Sequence, residues 1–478
     1  MTDNISRSQS RRTFLQNSAR AAGGLSAAAL LAGPTSVYAA EAKEKVNCVV
    51  IGCGGRGQSH IGTSLSQNLV AIVDADEKQL DSTRNSIKNK NAALADKVQT
   101  FTDYRTMFDK LGKQIDAVFI ATPNHQHALP SLMAMQLGIG VYCEKPLCHT
   151  VDEARQMSAF AAKYKVPTQM GNQGHCDEGY RRLCEYVWAG AIGKITETHS
   201  WSNRANGGIG ARPPALTVPT GLNWDSWIGP APFRDYHVDL HKHEWHGWYD
   251  FGNGSLGNMG CHVLDGVYWA LKLEHPTTVE VEQMSGGTKE RLPTGTRIRW
   301  DFPARGDMPA LKAYWYDGRI GVGDTGDANT AAPKGTRGKS NVPPLLTELV
   351  AKYPEQKFDS NGTIYVGEKG MLYTGTYGGS MRIVSPEQMK ATPAPAKTLP
   401  RPSSVGSDFL RAVREGKNDT ASHFDYSAKL TEFTLLGNLA QRAGVGNPVQ
   451  WDGPNMRVTN LTDLNQWVKI ENREGWRV

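Results

Sequence analysis

Short apolar runs alternate with more polar, helix-length stretches between residues 46 and 171. The apolar runs are rich in Val, Ile and Ala and are too short for helices, which is typical of buried strands. They cover residues 46–51, 69–74, 116–121, 140–143 and 167–171. The stretches between them predict helices at about 55–67, 76–96, 127–137 and 151–164. This alternation predicts an α/β fold with a doubly wound parallel sheet.

The second half of the chain has a mixed pattern. Helical periodicity occurs at 176–190, 256–272, 406–418 and 427–442. Between residues 280 and 385 apolar and polar positions alternate, as in half-buried strands. We therefore expect an α+β domain with a large, open, mostly antiparallel sheet and helices on one face. The composition of 317–350 predicts a long surface loop, and four prolines in 393–402 predict a linker along the surface.

Composition excludes several classes of protein. The chain has 478 residues, of which 39% are hydrophobic and 21% charged, and this balance excludes disordered and collagen-like chains. No apolar run reaches the roughly 18 residues that span a membrane. The basic residues are not clustered and no nucleic-acid-binding motif is present, so we expect no nucleic-acid partner. The seven cysteines lack C-x-x-C spacing. Several of them lie in or beside apolar strand-like runs and are predicted to be buried small hydrophobic residues, and a structural disulfide is the alternative.

The first forty residues have the order of an export signal. Twin arginines at Arg11 and Arg12 precede an Ala-rich apolar stretch over 21–32 and a small-residue cleavage site at 37–39. We expect residues 1–40 to be a twin-arginine signal peptide, with the twin-arginine export machinery as a partner and a periplasmic location. An uncleaved N-terminal anchor is the alternative. The signal holds four arginines and one aspartate, so its removal takes the formal charge from +6 to +3.

The first predicted strand runs directly into a G-x-G-x-x-G turn. Its residues are Gly52, Gly54, Gly55, Arg56 and Gly57. Such glycines let the backbone approach a pyrophosphate at the N-terminus of the next helix. Asp74 ends the second strand, where a carboxylate can hold a ribose 2′-hydroxyl. Because a 2′-phosphate would meet this negative charge, the pattern predicts NAD as the cofactor. We assign residues 41–171 to an NAD-binding Rossmann domain and 172–478 to a second, α+β domain.

Four motifs resemble those of the Gfo/Idh/MocA oxidoreductases, the family of glucose–fructose oxidoreductase and the inositol dehydrogenases, in particular an exported twin-arginine subgroup. Besides the glycine turn they are Thr122-Pro123-Asn124-His125-Gln126-His127, Glu144-Lys145-Pro146 and Gly260-Cys261-His262-Val263-Leu264-Asp265. The resemblance implies that the cofactor contacts Thr122, Pro123, Asn124, His127, Glu144, Lys145 and Asn172. It also implies that Lys145 lies at the nicotinamide and the substrate hydroxyl, and that His262 is the family's helix histidine. The family's aspartate four residues earlier is Asn258 here.

These residue types suit the oxidation of a secondary alcohol. His262 can take the hydroxyl proton, and Lys145 can stabilise the developing alkoxide. Asn258, His262 and Asp265 stand at i, i+4 and i+7 of a predicted helix, so we expect them to share one face toward the ligand. An asparagine can orient the imidazole but adds no charge. We therefore expect a lower pKa for His262 than an aspartate would give.

Aromatic and polar side chains are concentrated between residues 201 and 250. Flat rings combined with polar groups are typical of carbohydrate clefts, although part of this set is expected to be core packing. The substrate candidates are Gln173, Arg204, Tyr236, Trp245, His246 and Trp248. The histidines at 237, 241, 243 and 246 do not have the spacing of a zinc motif, so we expect a cleft wall and no metal.

We expect an exported NAD-dependent oxidoreductase acting on a secondary hydroxyl of a sugar, glycoside or cyclitol. Free NAD is expected to be scarce outside the cytoplasm, so the cofactor should be loaded before export and recycled in the site. One alternative is a redox-neutral, NAD-dependent glycoside-cleaving enzyme that oxidises, eliminates, adds water and reduces. Another is a catalytically impaired sugar-binding protein, to which Asn258 points. The resemblance also implies that residues 172–478 form the substrate-binding and oligomerisation domain. It implies a homo-oligomer, a dimer or a tetramer.

Overall fold

The computed structural model of the chain describes residues 44–321 and 338–477. The predicted export signal over 1–40 lies outside these residues, as does the middle of the predicted loop at 317–350. In the two described ranges, no helix combines the length and apolar character needed to cross a membrane.

Six parallel strands form the first sheet, with helices between them. The strands are β1 (Asn47–Ile51), β2 (Asn68–Val73), β3 (Gln99–Phe101), β4 (Ala117–Ile120), β5 (Gly140–Cys143) and β6 (Thr168–Met170), in the order β3-β2-β1-β4-β5-β6. The helices are α1 (Gly57–Ser64), α2 (Glu77–Lys90), α3 (Ala92–Ala95), α4 (Tyr104–Leu111), α5 (Ala128–Gln136) and α6 (Val151–Tyr164). Strands β4 and β5 are buried along their whole length, as expected when helices cover both faces. This confirms the predicted doubly wound sheet.

A second, ten-stranded sheet dominates the rest of the described chain. Its strands are β7 (Ile195–Ser202), β8 (Thr278–Ser285), β9 (Gly295–Phe302), β10 (Leu311–Ile320), β11 (Lys339–Ser340), β12 (Asn361–Gly367), β13 (Gly370–Gly375), β14 (Arg382–Ile383), β15 (Val449–Asp452) and β16 (Arg457–Val458). The order is β14-β13-β12-β7-β10-β9-β8-β15-β16, with β11 paired to β10. Only the β7–β10 pair is parallel among these pairings of described residues. The sheet is therefore mostly antiparallel, as predicted.

Nine α-helices follow the first domain in the described residues. They are α7 (Glu178–Trp188), α8 (Trp224–Ile228), α9 (Cys261–Val263), α10 (Asp265–Ala270), α11 (Pro344–Lys352), α12 (Pro386–Ala391), α13 (Val405–Glu415), α14 (Phe424–Ala443) and α15 (Asn465–Val468). Helix α14 packs against both α6 and β8, so it joins the two sheets. Helix α13 returns to the first sheet, where Phe409 packs on Phe119 and Tyr142. One hydrophobic core consequently extends through both halves.

Two predictions about elements are corrected by the structure. The predicted helix at 256–272 is interrupted, because Leu256–Gly260 forms a π-turn and the chain bends again before Asp265. The predicted loop at 317–350 is not all loop, since β10 continues to Ile320 and α11 begins at Pro344. The proline-rich segment 393–402 does lie as coil along the surface, held by the side chains of α7.

Candidate active site

One cavity of about 590 Å³ lies at the edge where the strands β1, β2, β4 and β5 end and the second domain begins. Its volume is in the range of ligand sites. From the first domain it is lined by Gly52, Gly54, Gly55, Arg56, Asp74, Thr122, Pro123, Asn124, His127, Glu144 and Lys145. From the second domain it is lined by Gln173, Arg204, Trp245, His246, Asn258 and His262. The structure thus brings most of the residues predicted from the sequence to one place.

The glycine turn can be made only with glycines at two of its positions. Gly52 has φ +86°, and a Cβ there would lie 2.6 Å from the carbonyl oxygen of Ala121. A Cβ on Gly57 would lie 1.9 Å from the carbonyl oxygen of Gly52. Gly57 does not line the cavity; it lets α1 begin directly beneath the turn. The turn therefore exposes its backbone to the cavity at the N-terminus of α1.

Asp74 stands beside this turn at the end of β2. Its two carboxylate oxygens accept hydrogen bonds from the backbone N–H groups of Cys53 (2.8 Å) and Asp76 (3.0 Å). Burial raises the pKa of Asp74 to about 6. The carboxylate is ionised at neutral pH and keeps lone pairs for further donors. A glycine turn at a helix N-terminus, with an acceptor carboxylate in the same cavity, fits an adenine dinucleotide.

Asn258 holds Lys145 in the cavity. Its Nζ donates to the backbone oxygen of Asn258 (2.9 Å) and to the side-chain Oδ1 of Asn258 (3.2 Å). The amide nitrogen of Asn258 donates to Oδ1 of Asn206 (2.9 Å). Burial lowers the pKa of Lys145. Asn258 thus positions Lys145, whereas we expected it to orient His262.

His262 lies in the same cavity with an uncharged ring. Burial, and then the charge of Lys145, holds its pKa well below the ordinary 6.5. Its Nδ1 has no hydrogen-bond partner among the described residues. The backbone oxygen of His262 accepts a hydrogen bond from the Tyr180 hydroxyl, which fixes the main chain. The site therefore offers a partly buried ammonium and an unprotonated imidazole to one ligand.

Glu144 is buried at the inner wall of the cavity. It accepts hydrogen bonds from Nε of Arg56 (3.1 Å), and its Oε1 lies 2.9 Å from Nε2 of His60. Burial would raise the pKa of this carboxyl, but the bonds from His60 and Arg56 outweigh burial and lower it to about 2. Glu144 therefore remains a carboxylate and anchors Arg56 at the glycine turn.

Asp265, which we predicted to be catalytic, does not line the cavity. Its carboxylate is fully buried and is held by the Asn172 amide (2.9 Å), Nδ1 of His175 (3.0 Å) and the Tyr426 hydroxyl (2.6 Å). The π-turn at Leu256–Gly260 closes over five residues, and the helix bends after it, so positions i and i+7 no longer share a face. Asn172, predicted to contact the cofactor, lies with Asp265 and does not line the cavity.

Two predicted substrate residues also lie outside the cavity. Trp248 is fully buried in an aromatic core, where its Nε1 donates to the Asp239 carbonyl (3.1 Å) and Arg291 lies 4.6 Å from its ring centre. Tyr236 packs edge-on against Trp224, with ring centres 5.2 Å apart. Both rings support the loop that carries Trp245 and His246. Their aromatic character alone could not distinguish core from cleft.

Tyr377 is a cavity residue that sequence reasoning missed. It occupies a turn after β13, and its ring stands at 88° to that of His262, with centres 4.7 Å apart. The turn is pressed against α7, where a Cβ on Gly179 would lie 1.9 Å from the Gly378 carbonyl oxygen. Tyr377 has a φ of +58°, which is unusual for a non-glycine residue and marks the turn as a special position. This backbone angle is known only from the structure, so the sequence contained no signal for it. Trp227 and His241 also line the cavity.

Cysteines and metal-type ligands complete the description of the site region. All seven cysteines are buried, which confirms the prediction made for several of them, and each is a free thiol. In the part of the chain that the structure describes, no group of three or more His, Cys, Asp or Glu side chains is arranged to hold a metal ion.

Comparisons with known proteins agree with this geometry. A model described as an oxidoreductase family with an NAD-binding Rossmann fold matches residues 46–172, and the C-terminal alpha/beta domain model of the same Gfo/Idh/MocA group matches 192–302. The rhizopine catabolism protein MocA of Rhizobium meliloti is 27% identical over 48% of this chain and 59% of its own length. Inositol 2-dehydrogenase 3 of Saccharopolyspora erythraea is 30% identical over 31% of this chain and 43% of its own length.

The alignments therefore span about half the length of these curated relatives. Among solved structures, the aldose-aldose oxidoreductase of Caulobacter crescentus, complexed with glycerol, superposes with a TM-score of 0.53. That match covers 85% of this chain and all of the other chain, at 17% identity. At this identity the likeness shows a shared fold.

Proposed function

Since the chain belongs to the Gfo/Idh/MocA oxidoreductases and carries their NAD-binding Rossmann domain, we propose that it oxidises a secondary hydroxyl of a sugar, glycoside or cyclitol. The observation that carries this proposal is the placement of Lys145 and His262 in the cavity that also contains the glycine turn and Asp74. We further propose that the protein is exported and that NAD stays bound and is recycled. The twin-arginine sequence at 10–15 supports export.

The residues divide the reaction between them. NAD, when bound, supplies the hydride acceptor. The neutral imidazole of His262 takes the hydroxyl proton, because its depressed pKa leaves it unprotonated at neutral pH. The Lys145 ammonium stabilises the oxygen as negative charge develops, and Asn258 holds that ammonium through its backbone and side-chain oxygens. Trp245 and His246, stacked with centres 3.6 Å apart, supply a flat surface for a sugar ring.

Cofactor content and single-turnover chemistry test this function. The processed protein is denatured and its released NAD(H) is counted, and near one molecule per chain is expected. The folded protein is then mixed with myo-inositol, glucose and other sugars or cyclitols while bound NADH fluorescence is followed. Lys145→Met should keep NAD but lose about 10³-fold in turnover. Asp425→Ala, at an exposed position on α14, is the control and should retain full turnover.

The products separate the remaining chemistries. Recycling between two sugars gives one oxidised and one reduced product, whereas redox-neutral glycoside cleavage gives free sugars alone. Sugar binding without NADH formation in the wild type, for every compound in the panel, would contradict the proposed activity and favour a binding protein. We also propose a homo-oligomer formed through the open face of the second sheet, which light scattering after gel filtration would test.

A further inference from the structure

The second domain covers the end of the cavity that contains Asp74. Residues 218–246, here called the outer wall, contribute Ser226, Trp227, His241, Lys242 and His243 to the lining, in addition to Trp245 and His246, which we assign to the sugar. On the other side of the same space are Asp74 and the residues that follow β2 and β3. A nucleotide whose ribose met Asp74 would therefore lie between the first sheet and the outer wall, not on an open edge.

Backbone hydrogen bonds attach the outer wall to the segment just after Asp74. Asp76 and Leu222 form an antiparallel bridge. The Glu77 N–H donates to the Gly221 carbonyl (2.9 Å), and the Asn223 N–H donates to the Ala75 carbonyl (2.8 Å). This attachment involves the three residues that directly follow Asp74 in the chain.

Side chains attach the outer wall a second time, at the loop after β4. Nε2 of Gln126 donates to the carbonyls of Ser226 (2.6 Å) and Trp227 (2.7 Å). A Cβ on Gly229 would lie 2.4 Å from Oε1 of Gln126, so the Gln126 side chain packs directly on the backbone of Gly229. Nε2 of His125 lies 3.1 Å from the Trp227 carbonyl oxygen. The wall is thus fixed to two different strand ends of the dinucleotide sheet.

The C-terminal segment supports the wall from behind. The Arg473 guanidinium donates to the Asp225 carboxylate (2.6 Å), the Asp225 carbonyl (3.0 Å) and the Gly229 carbonyl (3.1 Å). Trp476 follows three residues later in the chain. The guanidinium carbon of Arg105, on α4, lies 3.5 Å from the centre of the Trp476 ring. Arg473 does not line the cavity, and the hydrogen bonds of its side chain in the described residues all go to the wall.

We propose that the outer wall is a second half of the adenine-nucleotide site, which encloses the adenosine end of NAD and makes its exchange slow. This proposal rests on the proposed NAD-dependent function. Trp227, stacked on Trp224 at 4.7 Å and 8°, gives the wall a rigid aromatic surface. Release of the nucleotide requires the wall to separate from the loops after β2 and β4, and those hydrogen bonds break together. Slow exchange is what a recycled cofactor requires.

Exchange of labelled NAD tests the wall directly. The holoprotein is incubated with excess [14C]NAD, and bound label is counted after rapid desalting at intervals. In the wild type, half-exchange should take hours. Arg473→Ala should exchange at least tenfold faster, because it frees the back of the wall without touching the cavity. His241→Ala, which removes a lining side chain 3.5 Å from the Asp76 carboxylate, should exchange severalfold faster.

Arg477→Ala is the matched control, since Arg477 is an exposed arginine of the same segment without a contact to the wall in the described residues. It should exchange within twofold of the wild type. If Arg473→Ala does not fold, the exchange rate of labelled NAD in His241→Ala decides whether the proposal holds. Exchange within seconds in the wild type, or wild-type rates in both variants, would overturn the proposal while leaving NAD-dependent catalysis intact. A wild type that binds no NAD would contradict the proposed function itself.

Discussion

Burial moves two side chains of the site toward their uncharged forms. It raises the pKa of Asp74 to about 6 and holds the pKa of His262 well below 6.5. Near pH 7 both nevertheless have the states that the proposed chemistry needs, an ionised carboxylate and a neutral imidazole. The margin is narrower for Asp74, because its pKa lies only about one unit below neutrality.

The pKa of Asp74 predicts a pH dependence of cofactor binding. NAD ribose hydroxyls would donate to the ionised carboxylate, so binding should approach full strength well above pH 6 and weaken as pH falls through it. In protein freed of nucleotide, the Kd for NAD should rise about tenfold between pH 7 and pH 5. Titration followed by tryptophan fluorescence measures this. Asp74→Asn should bind more weakly at both pH values with a flat profile, and a sloping profile in that variant would assign the dependence elsewhere.

At the scale of elements, the junction between the glycine turn and α1 has no space for an added side chain. Gly57→Ala would force a Cβ to within 1.9 Å of the Gly52 carbonyl oxygen. We expect a loss of about 1–3 kcal/mol in the free energy of unfolding and loss of retained NAD. Gly62→Ala, in the same helix with open space around it, is the control and should be neutral or stabilising. Thermal unfolding and NAD content report both; equal effects of the two variants would contradict this account.

At the scale of the whole molecule, an ion pair between the buried Glu432 and partly exposed basic side chains links the two domains. Glu432 of α14 accepts from Arg155 of α6 (2.8 and 2.9 Å), and its Oε1 lies 3.0 Å from Nδ1 of His275. Burial would raise the pKa of Glu432, but the bonds from His275 and Arg155 outweigh it and lower the pKa. The pair should therefore contribute stability above pH 4.5 and lose it as pH falls further.

Breaking this pair should destabilise the protein as one unit. Glu432→Ala leaves the partly exposed Arg155 without its carboxylate, and we expect about 1–3 kcal/mol less stability in urea unfolding. Because the core is continuous through both halves, the transition should remain single. Asp425→Ala, which removes an exposed i, i+4 pair from the same helix, should cost at most about 0.5 kcal/mol. A separate early transition in Glu432→Ala would show that the domains unfold independently.

Local features of the sequence were sufficient for the fold class and the dinucleotide turn. The order of strand, glycines, helix, strand and acid depends on neighbours along the chain, and so does the helix predicted at 151–164. The structure confirms that helix as Val151–Tyr164, which begins with a capping box between Thr150 and Glu153. Strand β3 was missed because it has only three residues and no apolar run. Helix periodicity likewise could not reveal the π-turn before His262.

The partners of the site residues were decided by tertiary structure alone. Hydrophobic periodicity tells which face of an element is buried, but it does not tell which distant element covers that face. Tyr377 reaches His262 from a turn more than a hundred residues away, and Asp265 turns toward Tyr426 instead of the cavity. The outer wall at 218–246 lies against the loop after Asp74 through backbone hydrogen bonds, which no side-chain pattern encodes. Such contacts exist only once the chain has packed.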